Sequence, residues 1–420
     1  MTLMPGRLKV LWFSPLPANA GNAYGGGGWI SSLASEIRSQ RDVELGISYP
    51  IRSNAASQGD DSGIREFPLP KPNVGFGRVG RFFAVKRQDG ILLESARRVL
   101  REFRPDIVQV FGLERVFGLL SADSGIPVII HLQGLMGPCV NAWVPPGCRM
   151  WDYVVAQGWN PMHMALRIRS LALNLHAAAR ERKILKSVRY VMGRTEWDRN
   201  YCALFAPQAR YIPCQEILRP CFYEPSVWRG PDTPLFVSTL STPLYKGHDL
   251  VLKTAKILSE TGHGHFEWQV FGVRDLRFTE RKTGIRAADV GVRSMGVAGP
   301  ERIKEALLCC SAYVHPSYID NSSNGVCEAQ ILGVPVVSTN VGGLPSLFPP
   351  EQARRLVPSN DPYSMAGRIL EAVRNPEAFI VNRADCLARH NPAAIVDNLL
   401  SIYRTVLSET GTCRPTSTMP

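Results

Sequence analysis

The chain of 420 residues contains no Cys-x-x-Cys pair, no His-Glu-x-x-His, no Asp-x-Asp and no zinc-finger spacing. It also lacks the uninterrupted run of about 18 apolar residues that a membrane-crossing helix needs. Each absence removes a class of protein. Ten cysteines without a regular framework, two of them adjacent at Cys309 and Cys310, read as reduced thiols of a cytoplasmic protein. With neither a zincin nor an Asp-x-Asp pattern, no metal site is expected. The opening MTLMPGRLKVLWFSP has an apolar stretch too short and interrupted for a signal peptide, and reads as a first strand. There is no RNP pattern and no repeated basic–aromatic motif, which excludes nucleic acid as a partner.

Acidic residues are the other shortage, and only in one half. Residues 1–230 hold 29 Lys and Arg against 18 Asp and Glu, whereas residues 231–420 hold 19 against 18. A basic half-molecule suits an anionic membrane surface or a phosphorylated substrate. Its densest stretches are Val74–Arg87, where Phe76, Phe82 and Phe83 lie between Arg78, Arg81, Lys86 and Arg87, and Leu166–Arg194. The alternative is a solvated helix face plus a loop.

What the chain does have is alternation. Strand candidates 9–14, 43–49, 106–111, 127–132 and 189–195 alternate with helical stretches 29–40, 91–103 and 162–186. Residues 53–80 are rich in Gly, Pro and polar residues and are expected to form one long loop. The second half repeats the pattern with strands 235–240, 268–273, 292–296, 312–315 and 336–339. The expectation is an α/β chain of two Rossmann-like, doubly wound domains facing a central cleft. Periodicity vanishes in the proline-dense stretch 219–234, so the domains are expected at 1–219 and 220–393. A last helix follows at 394–408, with a disordered tail at 409–420.

The segment AYVHPSYIDNSSNGVCEAQILGVPVVSTNVGGLPSL, residues 312–347, is the most informative. A strand ends at His315, a loop carries Asp320, and a helix opens near Asn324 and closes before Gly333 and Pro335. The free N–H groups of such a helix start suit a phosphate. Asp320 and Glu328 beside that anion site can accept hydrogen bonds from sugar and ribose hydroxyls. An ordinary βαβ unit with a capping Glu and a solvated Asp remains the plain alternative. Upstream, Lys246 in Lys246-Gly247-His248-Asp249-Leu250 follows a strand and precedes a helix. It is either a point charge for a diphosphate or a solvated loop lysine. The run Gly25-Gly26-Gly27-Gly28 marks either a close approach to a ligand or a floppy loop.

Asp320-x7-Glu328, with Gly333-x-Pro335-Val336-Val337 and Gly342-Gly343, resembles the signature of family 4 retaining glycosyltransferases of GT-B fold. In that family the first acid is Glu, and Gly-Phe-Gly is more usual where Asn321-Ser322-Ser323 stands here. The variant is similar to a subgroup working on bacterial surface polysaccharide. The resemblance implies a metal-independent hexosyltransferase that moves a sugar from a nucleoside-diphosphate sugar to a polysaccharide or lipid-linked glycan. No cofactor beyond that donor substrate is implied. Lys246, Asp320, Glu328 and His131 would carry the chemistry. Gly26, Gly27, Arg194, Ser241, Thr242, Ser322, Ser323 and Asn324 would hold the substrate.

One departure concerns charge. Relatives carry an Arg five residues before the lysine, where this chain has Ser241. Arg194 either replaces that cation from the first domain or pairs on the surface with Glu196 or Asp198. His131 either touches the donor sugar or is a satisfied core residue. Two rivals stay open, a nucleotide-sugar epimerase of the same fold and a non-catalytic nucleotide-sugar binder. The expected location is cytoplasmic, with the basic half docked on the inner membrane face.

Overall fold

Runs such as Val10-Leu11-Trp12-Phe13 are apolar on both faces, which a parallel strand covered by helices on each side requires. The computed structural model describes residues 7–17, 28–51, 63–70, 85–156, 158–263 and 265–411. Within the first domain lie β1 (Leu8–Phe13), β2 (Val43–Pro50), β3 (Arg65–Leu69), β4 (Ile107–Phe111), β5 (Val128–His131), β6 (Tyr190–Gly193) and β7 (Arg210–Pro213). They form one parallel sheet in the order β3-β2-β1-β4-β5-β6-β7. The second holds β8 (Leu235–Thr239), β9 (Glu267–Phe271), β10 (Val292–Gly296), β11 (Ala312–His315) and β12 (Val336–Ser338). Their order is β10-β9-β8-β11-β12, again all parallel. Both sheets are doubly wound, and the direction in which strands are added reverses between β1 and β4 in one and between β8 and β11 in the other.

Two edge strands correct the sequence reading. The stretch 53–80, expected as one loop, contains β3, whose Arg65 to Leu69 pair in register with Gly46 to Pro50. Its sequence REFPL carries a proline, which an edge strand tolerates because one side needs no ladder donor. The four-residue β7, RYIP, is the opposite edge and also ends in proline.

Each sheet has a core on both faces. Helices Gly28–Arg38 and Pro392–Glu409 cover one face of the first sheet, and Val85–Phe103 with the end of Pro161–Leu185 covers the other. The helix Pro392–Glu409 starts cleanly, with Asn391 accepting from the Ala394 amide at 3.0 Å and Pro392 at its first position. Its buried face is Ile395, Val396, Leu399, Tyr403, Val406 and Leu407, each contributing about 1.5–3 kcal/mol of burial. Tyr403 accepts from the Trp12 indole at 3.0 Å and donates to Gln109, which ties this helix to β1 and β4. Helices His248–Glu260 and Pro362–Arg374 pack on one face of the second sheet, and Pro300–Leu308 and Asn324–Ile331 on the other.

Candidate active site

β8 and β11 are neighbours whose onward connections leave to opposite faces, so a crevice opens at their carboxyl ends. It forms a cavity of about 660 Å³. Ser241, Thr242 and Lys246 line it from the loop after β8, and Asp320, Ser323, Asn324 and Glu328 from the segment after β11. Gly28 and Arg219 close it from the side of the first domain.

Lys246 ends a short turn whose next residue, Gly247, has φ 82°. A Cβ there would sit 2.0 Å from the Pro316 carbonyl oxygen, so only glycine lets the two loops meet. The Lys246 ammonium then lies 2.7 Å from Asp320 Oδ2, and His315 Nε2 donates to the same oxygen at 2.9 Å. The other oxygen accepts from the Asn321 amide at 3.0 Å. Burial alone would raise the Asp320 carboxyl. The Lys246 charge and the His315 bond override it and hold the group well below the usual carboxylate range. From the far side Gly342, at φ 54°, packs so closely that a Cβ would meet the Asp320 carbonyl oxygen at 1.9 Å.

Glu328 is 2 % exposed, and Arg219 grips it with both nitrogens, Nε to Oε1 and Nη2 to Oε2, each at 2.7 Å. Burial pushes the Glu328 carboxyl up while Arg219 pulls it back down. A carboxylate bonded once on each oxygen still has a lone pair free on each. The helix Asn324–Ile331 opens at Ser323, whose side chain makes no capping bond, so its first amides remain available to an anion.

Several expected residues fall elsewhere. Ser322 is buried and donates to Glu216 Oε1 at 2.9 Å instead of lining the cavity. Arg194 is neither a cleft-facing cation nor a surface ion pair. Its guanidinium is buried against Glu216, donates to the Gln133 carbonyl at 3.0 Å and lies over the Trp29 ring. Asp198 bonds the Arg194 backbone amide, capping the next helix. His131 sits in the first domain's core, fully buried against Trp29 and Phe111, with Nδ1 accepting from Gln109 Nε2 at 3.2 Å. Burial pushes its pKa down to about 3, so the ring is neutral. Gly26 and Gly27 lie outside the described residues, as do Arg78 and Arg81. Ser241 and Thr242 stand at the cavity rim, exposed.

Four residues that the structure brings to the cavity or its supporting contacts were not legible beforehand: Glu216, Arg219, His315 and Asn321. Glu216 and Arg219 fall on the segment that joins the sheets, where proline density reads only as a boundary. Glu216 takes Arg194 and Ser322, and the Asn324 side-chain amide, turned so that its nitrogen faces the carboxylate, donates to both oxygens at 3.1 and 3.2 Å. Asn321 bridges the domains, accepting from Thr195 Oγ1 at 2.9 Å and donating to Asp198 Oδ1 at 2.9 Å. The Asn-Ser-Ser triplet therefore serves as an inter-domain clasp. A polar triplet where a glycine-rich one is usual was the signal available.

Residues 231–375 match the family described as glycosyl transferases group 1. The amylovoran biosynthesis glycosyltransferase AmsK of Erwinia amylovora is 31 % identical over 144 residues, covering 32 % of this chain and 35 % of that protein. The chain thus spans about a third of the length of this curated relative. Among solved structures, the sucrose-phosphate synthase of Thermosynechococcus elongatus superposes with a TM-score of 0.69 at 16 % identity, over 96 % of this chain and 100 % of that one. Anabaena HepE, solved with UDP and glucose, gives 0.60 at 13 % identity, over 95 % and 100 %. At those identities the likeness shows the fold alone, and that fold is GT-B.

Proposed function

We propose that the protein transfers a sugar from a nucleoside-diphosphate sugar to a polysaccharide or lipid-linked glycan acceptor, with retention at the anomeric carbon. One observation carries the reading. Lys246, the open helix start at Ser323–Gly325 and the Glu328–Arg219 pair all line one cavity at the switch point of the group 1 domain. Lys246 and the helix amides stabilise the diphosphate as negative charge builds on it. Arg219 draws the buried Glu328 carboxyl back toward its charged form, and the remaining lone pairs accept from ribose hydroxyls. Asp320, oriented by His315 and the Asn321 amide, faces the sugar. The bond from the anomeric carbon to the diphosphate oxygen breaks and an acceptor oxygen bonds to the same face. The acceptor proton passes to the departing phosphate. The second cation absent at Ser241 is supplied by Arg219.

The reading extends to a peripheral position on an anionic membrane, favoured by the basic first half and by exposed Arg182, Lys183, Lys186 and Arg189. Among the described residues no helix is long and apolar enough to cross a membrane. Sedimentation with anionic vesicles that weakens with salt supports docking, and equal recovery on neutral vesicles rejects it. For the activity, the protein is incubated with labelled nucleotide-sugars. Hydrolysis or transfer supports the proposal, sugar interconversion indicates the epimerase, and binding without turnover a non-catalytic binder.

A further inference from the structure

A second cavity, of about 770 Å³, adjoins the first and shares Thr242, Gly272 and Val297 with it. Both domains build its walls. His163 and Arg167 come from the helix Pro161–Leu185, and Arg274, Arg277 and Arg281 from the segment after β9. Asp275 is the one carboxylate among its described lining residues, and it is taken by Arg277 at 2.9 Å. Arg281 donates to the Ala156 carbonyl at 2.6 Å, which fastens the two walls together. Arg167 lies over the Tyr153 ring, 4.8 Å from its centroid, and neither it nor Arg274 has a carboxylate partner among the described residues. This surplus of cations fits an anion, and a neutral sugar has no need of it.

A second, independent feature flanks it. Trp151, Trp159, Met162 and Leu166 are 51, 75, 60 and 51 % exposed. The two indoles meet at 6.0 Å. Met162 and Leu166 are four residues apart on one helix, as are His163 and Arg167, so an apolar row runs beside the row that carries Arg167. Large apolar side chains left in water beside a cationic cavity match an amphiphile with an anionic head.

We propose that this cavity binds the phosphate or diphosphate of a lipid-linked acceptor, whose hydrocarbon chain lies along Met162, Leu166 and the two tryptophans. The inference rests on the donor occupying the neighbouring cavity, which the shared wall at Thr242 and Gly272 then places next to the acceptor. The test is calorimetric titration of the full chain with geranyl diphosphate, and with inorganic pyrophosphate, in a saturating mixture of UDP, GDP, ADP and TDP. The wild-type protein binds both probes. Arg167→Gln with Arg274→Gln weakens both by about ten-fold or more, the loss of charge-assisted bonds. Trp159→Ser with Met162→Ser weakens geranyl diphosphate alone. Both pairs of variants keep nucleotide binding, which also reports an intact fold. Nucleotide binding without geranyl diphosphate binding, or geranyl diphosphate binding indifferent to both arginines, overturns the inference. Absence of nucleotide binding in the wild type strikes the donor reading, and with it the acceptor role of this cavity.

Discussion

Replacing Arg219 by methionine keeps an unbranched apolar side chain but removes the guanidinium that bonds both Glu328 oxygens at 2.7 Å and lies over the Phe222 ring. Removing one partner of a buried pair costs about 3–5 kcal/mol, because the other charge stays behind without compensation. Water reaches part of the Arg219 side chain, which is 23 % exposed against 2 % for Glu328, so the lower end of about 3 kcal/mol applies here. For a domain of this size that is a fall in Tm of about 6–12 °C in the transition of the second domain. The pH dependence has a definite sign. The Glu328 carboxyl is already raised by burial, against the pull of Arg219, and rises further without it. A carboxyl raised in the folded state favours folding at acid pH and loses that advantage as pH climbs through its folded value. The deficit of Arg219→Met is therefore largest at neutral pH and shrinks on acidification through the carboxylate range. Adding Glu328→Gln to Arg219→Met removes the stranded charge and recovers most of the stability, without restoring nucleotide binding. Differential scanning calorimetry of the wild type and both variants, from about pH 4 to pH 8, measures all of this. A Tm for Arg219→Met within about 1 °C of wild type at neutral pH would refute the reasoning.

Asp320→Asn should also show its largest deficit at neutral pH, here because the wild-type carboxyl is depressed rather than raised. The native carboxyl is held below its ordinary range by Lys246 and His315 despite burial, so its contribution is full above that range, starts to fall within it and is lost only as pH drops through the depressed folded value; thermal melts of the variant and wild type should draw together only below the ordinary carboxylate range. Asn321→Ala removes the bonds to Thr195 and Asp198, at about 1–3 kcal/mol for buried groups left unpaired, and should raise hydrogen exchange at the amides of 195–198 and 343–346. His131, with a pKa pushed down to about 3, should show constant ring chemical shifts by NMR across neutral and mildly acid pH, and a titration near its ordinary value would contradict the buried placement. Leu399→Ala, deep under the first sheet, should cost about 2–5 kcal/mol in the first domain's unfolding transition.

The alternation of strands and helices was legible because parallel strands buried on both faces leave continuous apolar runs, such as Val10–Phe13 and Ala312–Val314. β3 and β7 escaped for the converse reason. An edge strand is half exposed, short and tolerant of proline, so Arg65–Leu69 and Arg210–Pro213 carry no such run. At the site, Lys246, Asp320 and Glu328 could be read because each lies a short, fixed distance from a strand end or helix start in its own local unit, Lys246 after β8 and the two acids after β11. Arg194 and His131 lie at strand ends too, and nothing local says that Glu216 and Trp29 enclose them. That depends on how Arg194 meets Glu216, 22 positions away, and how His131 meets Trp29, 102 positions away. Arg219 shows the same limit, since it acts on Glu328 from 109 residues away.

The most direct test is the effect of Lys246→Met on turnover of a nucleotide-sugar donor at saturation. If the donor diphosphate leaves from the cavity between β8 and β11, losing this cation removes about 2–4 kcal/mol of transition-state stabilisation. The expected fall in kcat is about thirty-fold to nearly a thousand-fold, with the melting transitions of both domains retained. An unchanged kcat in a folded Lys246→Met protein would contradict the assignment of this cavity to the donor.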